Sequence, residues 1–391
     1  MRIAYISPSF MSDVDLSLLK ELKKKVEVDY YLQITPFTTK GAAICLEKQK
    51  SKSGVLTIDD YPELETLTSI VPKNNFYIVN DTGKHNYSIG SIVCYFKLLI
   101  KIFSGNYDII HITWPLNIAG YMMYLLRKKM VMTVHDPFPH SSNENSYNRI
   151  IRKKAFHSIS HFIILNQNQK DDFVKYYHLQ GKKVYDSRLG CYSYLHAYDQ
   201  TNSTKGNICT GTDYILMFGN ILSHKGADIL LEAMENIHTL FPHIKLVIAG
   251  RWKWEYDKYD YYRQKDYILF IDRFIHDSEL ALLIRNCLFC VTPYLDATQS
   301  GVVMSAFAYN KPCIATDVGG LPEMVENGKY GLIIPPKDVK ALENALIQLL
   351  ESPNLIKDFG KNIENDYSNR SKSWDTISQE MVDIYKGMLE K

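Results

Sequence analysis

Two strand-loop-helix units follow one another between Leu288 and Pro336, and no other stretch constrains the fold of this chain as strongly. In the first unit, the short apolar run Leu288–Val291 is typical of a buried parallel strand. A polar loop then leads to Ser300-Gly301, and the apolar pattern over Val302–Tyr309 predicts a helix that starts directly on those small residues. The segment therefore predicts an α/β protein with a mostly parallel sheet.

The second unit repeats this arrangement. An apolar strand over Cys313–Thr316 leads into Gly319-Gly320 and a helix that starts at Pro322. Both units place small residues and free backbone N–H groups where a strand ends, which is how an α/β crevice holds the phosphates of a nucleotide. Two ordinary βα connections are the alternative, and for a lone Ser-Gly pair they would be the better interpretation.

The whole block resembles the donor-binding half of GT-B glycosyltransferases of the retaining family 4 type. Four motifs carry the resemblance: a proline-ended strand, Lys-Pro, Asp-x-Gly-Gly-x-x-Glu and Gly-x-x-x-x-Pro. They stand here at Pro293, Lys311-Pro312, Asp317–Glu323 and Gly331–Pro336. Upstream, further stretches match the family's strands, turns and helices: Phe218–Met234, Leu246–Gly250 and Ile268–Leu283. The resemblance implies two Rossmann-like domains with parallel sheets that face a central cleft.

Two departures from the family pattern lie in the donor half. Where the family has a pair of glutamates, this chain has Ala297 and Ser305, and Asn220 replaces a phosphate-binding arginine. A sub-branch of the family has a Pro-Tyr-x-x-Ala-x-Gln-Ser-Gly loop, which the segment from Pro293 to Gly301 fits. We interpret the missing glutamates as a feature of that branch.

The predicted domains are an N-terminal acceptor-side domain over residues 1–200 and a donor-binding domain over residues 206–375. The boundary rests on the polar stretch Asp199–Asp213, which is rich in Gly, Ser, Thr and Asn and is typical of a linker. A helical pattern over Trp374–Leu389 is expected to cross back to the first domain as the resemblance implies, over residues 376–391.

Lys225 is the strongest candidate for binding a diphosphate. It follows the predicted strand Ile215–Phe218 and lies between Gly219 and Gly226, so its ammonium is expected at the strand's carboxyl end. A cation there would stabilise the charge on a departing nucleotide diphosphate. A solvated lysine at a helix start is the alternative.

Ser300, Gly301 and Val302 offer backbone N–H groups to the same phosphates at a helix start. Plain N-capping by Ser300 is the alternative, and both can hold. The resemblance further implies that Asp296 or Gln299 reaches the donor sugar hydroxyls. It also implies ribose contact near Ser305, phosphate contact near Gly219-Asn220 and base recognition at Arg273-Phe274.

His135 closes a first-half strand in the segment Thr133–Pro137. In similar enzymes a histidine there contacts the donor sugar near the scissile bond, so His135 is expected to take part in catalysis with Asp296 and Gln299. A structural role is the alternative. His111, inside a neighbouring strand, is expected to be a hydrogen-bonded core histidine.

Composition excludes several classes of protein. The 45 basic and 43 acidic residues give a net charge of +2, so no bulk polycation drives nucleic-acid binding. Seven cysteines without regular spacing indicate a reducing compartment, and Cys287-x-x-Cys290 fits buried thiols better than a redox or zinc site. No Asp-x-Asp motif follows a strand, so we expect neither a metal nor a cofactor beyond the nucleotide-diphosphate sugar.

The start of the chain, Met1–Phe10, reads as a strand without the features of a signal peptide. We therefore expect a cytoplasmic protein. The basic helix Arg149–Lys154 could dock peripherally at the inner face of the cell membrane, where similar enzymes meet lipid-linked acceptors. A solvated helix face is an equal alternative.

Three functions remain open. The first is retaining transfer of a sugar to a glycan or lipid-linked acceptor, as in cell-surface polysaccharide biosynthesis. The others are a sugar-nucleotide 2-epimerase and a non-catalytic sugar-nucleotide or glycan-binding subunit, the last suggested by Ala297, Ser305 and Asn220. Nucleotide binding with transfer, with C2 inversion or without turnover would distinguish them.

Overall fold

The chain forms two compact units, each built on its own sheet. The computed structural model describes residues 1–41, 43–85, 88–138, 146–199 and 212–390. The first unit comprises Met1–Gly190 and Trp374–Lys391, and the second comprises Cys191–Ser373. Residues 191–199 belong to the second unit because the Tyr192 N–H donates to Met304 O at 3.0 Å and the Tyr309 hydroxyl to Asp199 at 2.9 Å. The predicted linker falls largely on residues 200–211, outside the described residues, and stays a prediction.

The first unit contains an eight-stranded sheet in the order β10-β9-β8-β7-β1-β2-β6-β5. All neighbouring strands are parallel except β5, which pairs antiparallel with β6 at one edge. A separate antiparallel pair, β3 and β4, lies outside this sheet. The strands are β1 (Arg2–Pro8), β2 (Glu27–Ile34), β3 (Lys40–Gly41), β4 (Ile44–Cys45), β5 (Gly54–Thr57), β6 (Phe76–Asn80), β7 (Ile109–Ile112), β8 (Met130–Val134), β9 (His161–Ile164) and β10 (Lys183–Asp186).

The second unit contains a six-stranded, fully parallel sheet in the order β13-β12-β11-β14-β15-β16. Its central strands are buried on both faces, as parallel strands between two helix layers are. The strands are β11 (Tyr214–Phe218), β12 (Lys245–Ala249), β13 (Ile268–Ile271), β14 (Cys290–Thr292), β15 (Cys313–Thr316) and β16 (Gly331–Ile334).

The helices belong to one unit each. Those of the first unit are α1 (Ser12–Leu22), α2 (Ile89–Ser104), α3 (Ser146–Ser158), α4 (Lys170–Tyr176) and the C-terminal α12 (Trp374–Leu389), which packs on α1. Those of the second unit are α5 (Ala227–Leu240), α6 (Tyr259–Arg263), α7 (Asp277–Asn286), α8 (Gly301–Ala308), α9 (Leu321–Val325), α10 (Val339–Glu351) and α11 (Pro353–Asn369). A long 3₁₀ segment, Ile118–Lys129, connects β7 to β8.

The predicted α/β class with two mostly parallel sheets is confirmed. One strand boundary is wrong: the strand expected over Leu288–Val291 is β14, which begins two residues later and ends at Thr292. The prediction of buried thiols is confirmed, because Cys287 and Cys290 are both buried with their sulfurs 3.8 Å apart. Burial raises the pKa of both thiols, so they are unreactive.

Among the described residues, no helix is both long and apolar enough to cross a bilayer. The same part of the chain contains no cluster of three or more His, Cys, Asp or Glu side chains suited to a metal ion.

Candidate functional site

The order of strands in the second unit locates the candidate site. Strands β11 and β14 lie side by side at the centre of the sheet. From there β12 and β13 follow β11 toward one lateral edge, and β15 and β16 follow β14 toward the other. The connections after β11 and β14 therefore leave the sheet on opposite sides. Open α/β sheets bind their ligands in the crevice that forms at such a switch point, outside the carboxyl ends of the strands.

Glycines let the loop after β11 lie directly on the end of β14. Gly226 has φ +67°, and a Cβ built there would be 1.9 Å from the carbonyl oxygen of Pro293. Gly219 has φ +105°, and its Cβ would contact the Val302 side chain of α8 at 3.6 Å. The two loops that the sequence analysis singled out thus lie together at one edge of the sheet.

The loop after β15 holds the loop after β14 from its other side. Gly320 N–H donates to Thr298 O at 2.9 Å, and the Thr316 hydroxyl donates to Tyr294 O at 2.6 Å. Gly319 has φ +53°, and a Cβ there would be 1.5 Å from Ala297 O. The Gly-Gly pair is therefore required for close packing of two loops, which gives it a structural reason independent of any ligand.

Lys225 lies over an aromatic side chain instead of beside a carboxylate. Its Nζ is 3.6 Å from the centroid of the Tyr294 ring, and Tyr294 itself is buried. Burial lowers the pKa of Lys225 to about 8. Among the described residues, no carboxylate lies within ion-pair distance of Lys225 Nζ. A half-buried cation without a counterion is costly in a protein, and a bound anion would compensate it.

The first turn of α8 offers two further groups for an anion. Ser300 is the N-cap, and its hydroxyl accepts a hydrogen bond from Val303 N–H at 3.4 Å, so the capping alternative holds. The N–H groups of Gly301 and Val302 have no acceptor among the described residues. Gly301 also lies against Tyr192, whose ring would be 3.0 Å from an added Cβ. The helix start thus presents free donors while its cap is already in place.

The loop between Tyr294 and Ser300 carries the two residues expected to contact the donor sugar. Asp296 is exposed and Gln299 is half-buried. Burial and the neighbouring Lys225 lower the pKa of His224, and Asp296 opposes this lowering. His224 is thus a member of this group that the sequence analysis did not name, although its place beside Lys225 was visible.

Four other predicted site residues differ in their exposure and in their contacts. Arg273 is exposed and forms a bidentate pair with Glu279, with N–O distances of 2.6 and 2.7 Å, so its guanidinium is already engaged. Phe274 is half-buried, Asn220 is exposed next to Gly219, and Ser305 is buried one turn into α8. Arg273 and Phe274 follow β13, the outermost strand on their side, so they do not lie at the switch point.

A group of aromatic side chains follows β12 and was not predicted. Trp252 stacks on Trp254 with ring centroids 5.4 Å apart, and Tyr259 packs against Trp252 at 4.8 Å. Asp272, at the end of β13, accepts from the Trp252 N–H at 2.8 Å and from the Tyr259 hydroxyl at 2.9 Å. Several aromatic residues at irregular spacing carry no periodic signal, so only the fold reveals the group.

His135, the first-unit candidate, follows β8. Burial lowers the pKa of His135 to about 4, so the imidazole is neutral at pH 7. Its Nε2 atom is buried and has no hydrogen-bond partner within the part of the chain that the structure describes. His111, by contrast, is bonded on both nitrogens, to the Tyr385 hydroxyl at 2.5 Å and the Thr133 hydroxyl at 2.7 Å. The expectation that His111 is a satisfied core histidine is confirmed, and of these two histidines it is His135 whose buried nitrogen finds no partner among the described residues.

Comparison with known proteins agrees with this geometry. Residues 199–366 match the family model "Glycosyl transferases group 1", and residues 57–185 match the model "Glycosyltransferase Family 4". An uncharacterized glycosyltransferase of Methanocaldococcus jannaschii is 29% identical over 171 residues, which are 44% of this chain and 47% of that protein. The chain spans about half the length of the first curated relatives it matches.

Solved structures share the fold over the full chain. Sucrose-phosphate synthase from Thermosynechococcus elongatus has a TM-score of 0.66 at 17% identity, covering 100% of this chain and 99% of that one. The HepE protein of Anabaena, solved in complex with UDP, has a TM-score of 0.65 at 16% identity, covering 99% and 100%. The two parallel sheets and these neighbours show that the chain has the GT-B fold, and each half of the chain matches one of the two glycosyltransferase family models.

Proposed function

We propose that the chain transfers a sugar from a nucleotide-diphosphate sugar to a hydroxyl group of a glycan or lipid-linked acceptor, with retention at the anomeric carbon. The observation that supports this most strongly is Lys225, a half-buried cation at the switch point of the second unit for which the described residues supply no counterion. The N–H groups of Gly301 and Val302, which have no acceptor among the described residues, are placed in the same crevice because a Cβ built on Gly219 would lie 3.6 Å from the Val302 side chain.

Lys225 and the start of α8 would hold the diphosphate. As the bond between the anomeric carbon and the diphosphate oxygen breaks, negative charge grows on that oxygen. A fixed ammonium and fixed backbone dipoles stabilise this charge without having to reorient. The acceptor hydroxyl oxygen forms the new bond on the face that the diphosphate leaves, and its proton passes to the departing diphosphate.

His135, Asp296 and Gln299 would position the donor sugar. His135 is neutral, and its Nε2 is unpaired among the described residues, so it can form a hydrogen bond with a sugar hydroxyl without bringing a second charge to the site. Asp296 and Gln299 lie in the loop that also carries Tyr294, the residue under Lys225. The resemblance to family 4 supports these roles and the retention of configuration.

The first test is calorimetric titration with UDP, GDP and ADP, followed by hydrolysis of a panel of nucleotide sugars. Binding together with donor turnover supports the transferase. Binding with inversion at C2 would identify a 2-epimerase, and binding without any turnover would identify a sugar-nucleotide-binding subunit, the function suggested by Ala297, Ser305 and Asn220.

Stereochemistry and metal dependence provide a second test. We expect activity to survive EDTA, since Lys225 and backbone N–H groups would do the work of a divalent cation. We also expect NMR to show the same anomeric configuration in product and donor. An inverted product, or activity abolished by EDTA and restored by Mg²⁺, would contradict the proposal.

A further inference from the structure

Helix α2 of the first unit is apolar on two opposite faces. One face packs into the core through Cys94, Leu98 and Ile102. The other exposes six large apolar side chains: Ile89, Ile92, Val93, Phe96, Ile100 and Phe103. At 3.6 residues per turn these six lie within an arc of about 100° and form one continuous row along the helix. Ile89 is 81% exposed and Phe103 75% exposed, so the described residues of the unit leave the row's ends uncovered.

Neighbouring elements extend this row into a larger surface. The 3₁₀ segment Ile118–Lys129 packs against α2, and its Leu125 is 74% exposed. Helix α3 contacts the same segment, with Lys154 near the Tyr121 ring, and exposes Ile150. We call the surface formed by α2, Ile118–Lys129 and α3 the α2 surface. An exposed apolar row of this extent marks an interaction site in a protein that is otherwise well packed.

Charge on the α2 surface is of one sign. Its three elements together have 41 residues, nine of them Lys or Arg and none Asp or Glu. The basic residues are Lys97, Lys101, Arg127, Lys128, Lys129, Arg149, Arg152, Lys153 and Lys154. All but Arg152 are exposed. Because the whole chain has a net charge of only +2, the remainder of the chain is net acidic.

The exposed apolar row and the basic charge together favour one kind of partner for the α2 surface. A second copy of the chain, paired through the same surface, would place basic groups against basic groups. A nucleic acid would match the charge but would leave the row of Ile and Phe side chains in water. An anionic bilayer satisfies both features, since apolar side chains enter the boundary between headgroups and acyl chains while Lys and Arg contact the headgroups.

We propose that the α2 surface docks on an anionic lipid bilayer, with the exposed row of α2 inserted and the basic residues of Ile118–Lys129 and α3 against the headgroups. The sequence alone pointed to the basic helix Arg149–Lys154 for such a contact. The structure adds α2 as the element that enters the lipid. This inference does not depend on the proposed sugar transfer and would stand if the chain had no transferase activity.

The test is co-sedimentation of the full chain with vesicles of phosphatidylcholine alone and of equimolar phosphatidylcholine and phosphatidylglycerol. We expect binding to the anionic vesicles that weakens with salt. The double variant Phe96→Ser with Ile100→Ser should reduce the partition coefficient roughly tenfold or more, since two inserted apolar side chains are lost. The matched control is Leu240→Ser in the second unit, an exposed apolar residue outside the α2 surface, which should bind like the wild type.

A second pair of variants tests the charge. Lys128→Glu with Lys153→Glu should weaken binding to anionic vesicles, whereas Lys357→Glu in the second unit should not. Circular dichroism melts and nucleotide titration verify that each variant is folded. Equal vesicle binding by wild type and both double variants, or no binding by the wild type, would overturn the proposal. A dimer in light scattering that dissociates in Phe96→Ser with Ile100→Ser would assign the α2 surface to self-association instead.

Discussion

Lys225 in the second unit, and Asp15 and His111 in the first, show two opposite ways of holding a buried ionisable group. In the second, Lys225 lies half-buried over the Tyr294 ring; among the described residues it has no counterion, and the N–H groups of Gly301 and Val302 have no acceptor. In the first, Asp15 accepts hydrogen bonds from the Tyr5 hydroxyl at 2.7 Å and from Ser7, and His111 is bonded on both nitrogens. The second unit therefore has a candidate anion site at Lys225, whereas Asp15 and His111 of the first unit are already hydrogen-bonded to side chains of that unit.

This difference explains why candidate site residues are easier to recognise from the sequence in the second unit than in the first. The close approach of two loops requires glycine where they meet, as at Gly226, and a specific residue type is visible in a sequence. A buried side-chain network can be satisfied by many combinations of residues, so His135 stood out only through the resemblance. The largest expected effects therefore follow from changes to the glycines of the second unit.

Gly226→Ala is the most damaging substitution we expect. Its Cβ would be 1.9 Å from a backbone oxygen, at a φ of +67°. The loop after β11 must then move off β14, at a cost of more than about 3 kcal/mol in the free energy of unfolding. Gly328→Ala is the matched control, since Gly328 has φ +79° with no atom within 4 Å of the added Cβ, and should cost only about 1 kcal/mol. Urea denaturation measures both, and equal losses would show that the contact with β14 is not decisive.

The two histidines of the first unit provide the next contrast. His135→Ala should leave nucleotide affinity unchanged and lower sugar transfer by roughly ten- to a hundredfold, because only the position of the donor sugar is lost. His111→Ala should instead lower the free energy of unfolding by about 1–3 kcal/mol, since it strands the hydroxyls of Tyr385 and Thr133. Steady-state kinetics and thermal melts on both variants separate the roles. If His135→Ala transfers sugar at the wild-type rate, His135 is structural.

The pH dependence of nucleotide binding should be a smaller effect than those of the histidine variants, and it should depend on Lys225. The pKa of Lys225 is about 8 in the free protein, and a bound diphosphate would raise it. Below pH 8 the ammonium is already charged and affinity is at its plateau. As pH rises above 8, binding requires proton uptake, so affinity for UDP should fall by up to about tenfold per pH unit. Lys225→Arg, which keeps its charge throughout this range, should show no such fall. A fall of equal slope in both proteins would assign it to another group.

The smallest effect we expect is that of Arg273→Ala. The guanidinium is held by Glu279 at 2.6 and 2.7 Å and is exposed, so it has little left to offer a nucleobase. Removing it should change nucleotide affinity by less than about threefold, the scale of an exposed ion pair. A loss of tenfold or more, specific to one base, would show that Arg273 leaves Glu279 to bind that base.

The parts of the fold that follow from periodic apolar runs were predictable. The strand Cys313–Thr316 and the tail helix Trp374–Leu389 have the expected bounds. The antiparallel edge strand β5 was not predicted, because one short apolar run does not specify the direction of its neighbour. The exposed row on α2 was not predictable either, since both faces of Ile89–Ser104 are apolar and the sequence does not say which face is covered.

Within the candidate site, Lys225 and Ser300-Gly301 were predictable because strand ends and small residues mark them. The Tyr294 ring under Lys225 and the Tyr192 ring against Gly301 were not, since both contacts join residues far apart in the chain. The pairing of Arg273 with Glu279 was also not predicted, for a different reason. A turn separates the two residues, and no helical spacing links them.

The most direct measurement of the central claim is a calorimetric comparison of UDP with UMP, on the wild type and on Lys225→Ala, with Lys357→Ala as control. If Lys225 binds the second phosphate, Lys225→Ala should weaken UDP binding by about 1.5–3 kcal/mol, the range for a charged hydrogen bond, and UMP binding far less. The wild type and Lys357→Ala should both prefer UDP, and the variant should lose that preference. An unchanged preference for UDP in Lys225→Ala would contradict the account.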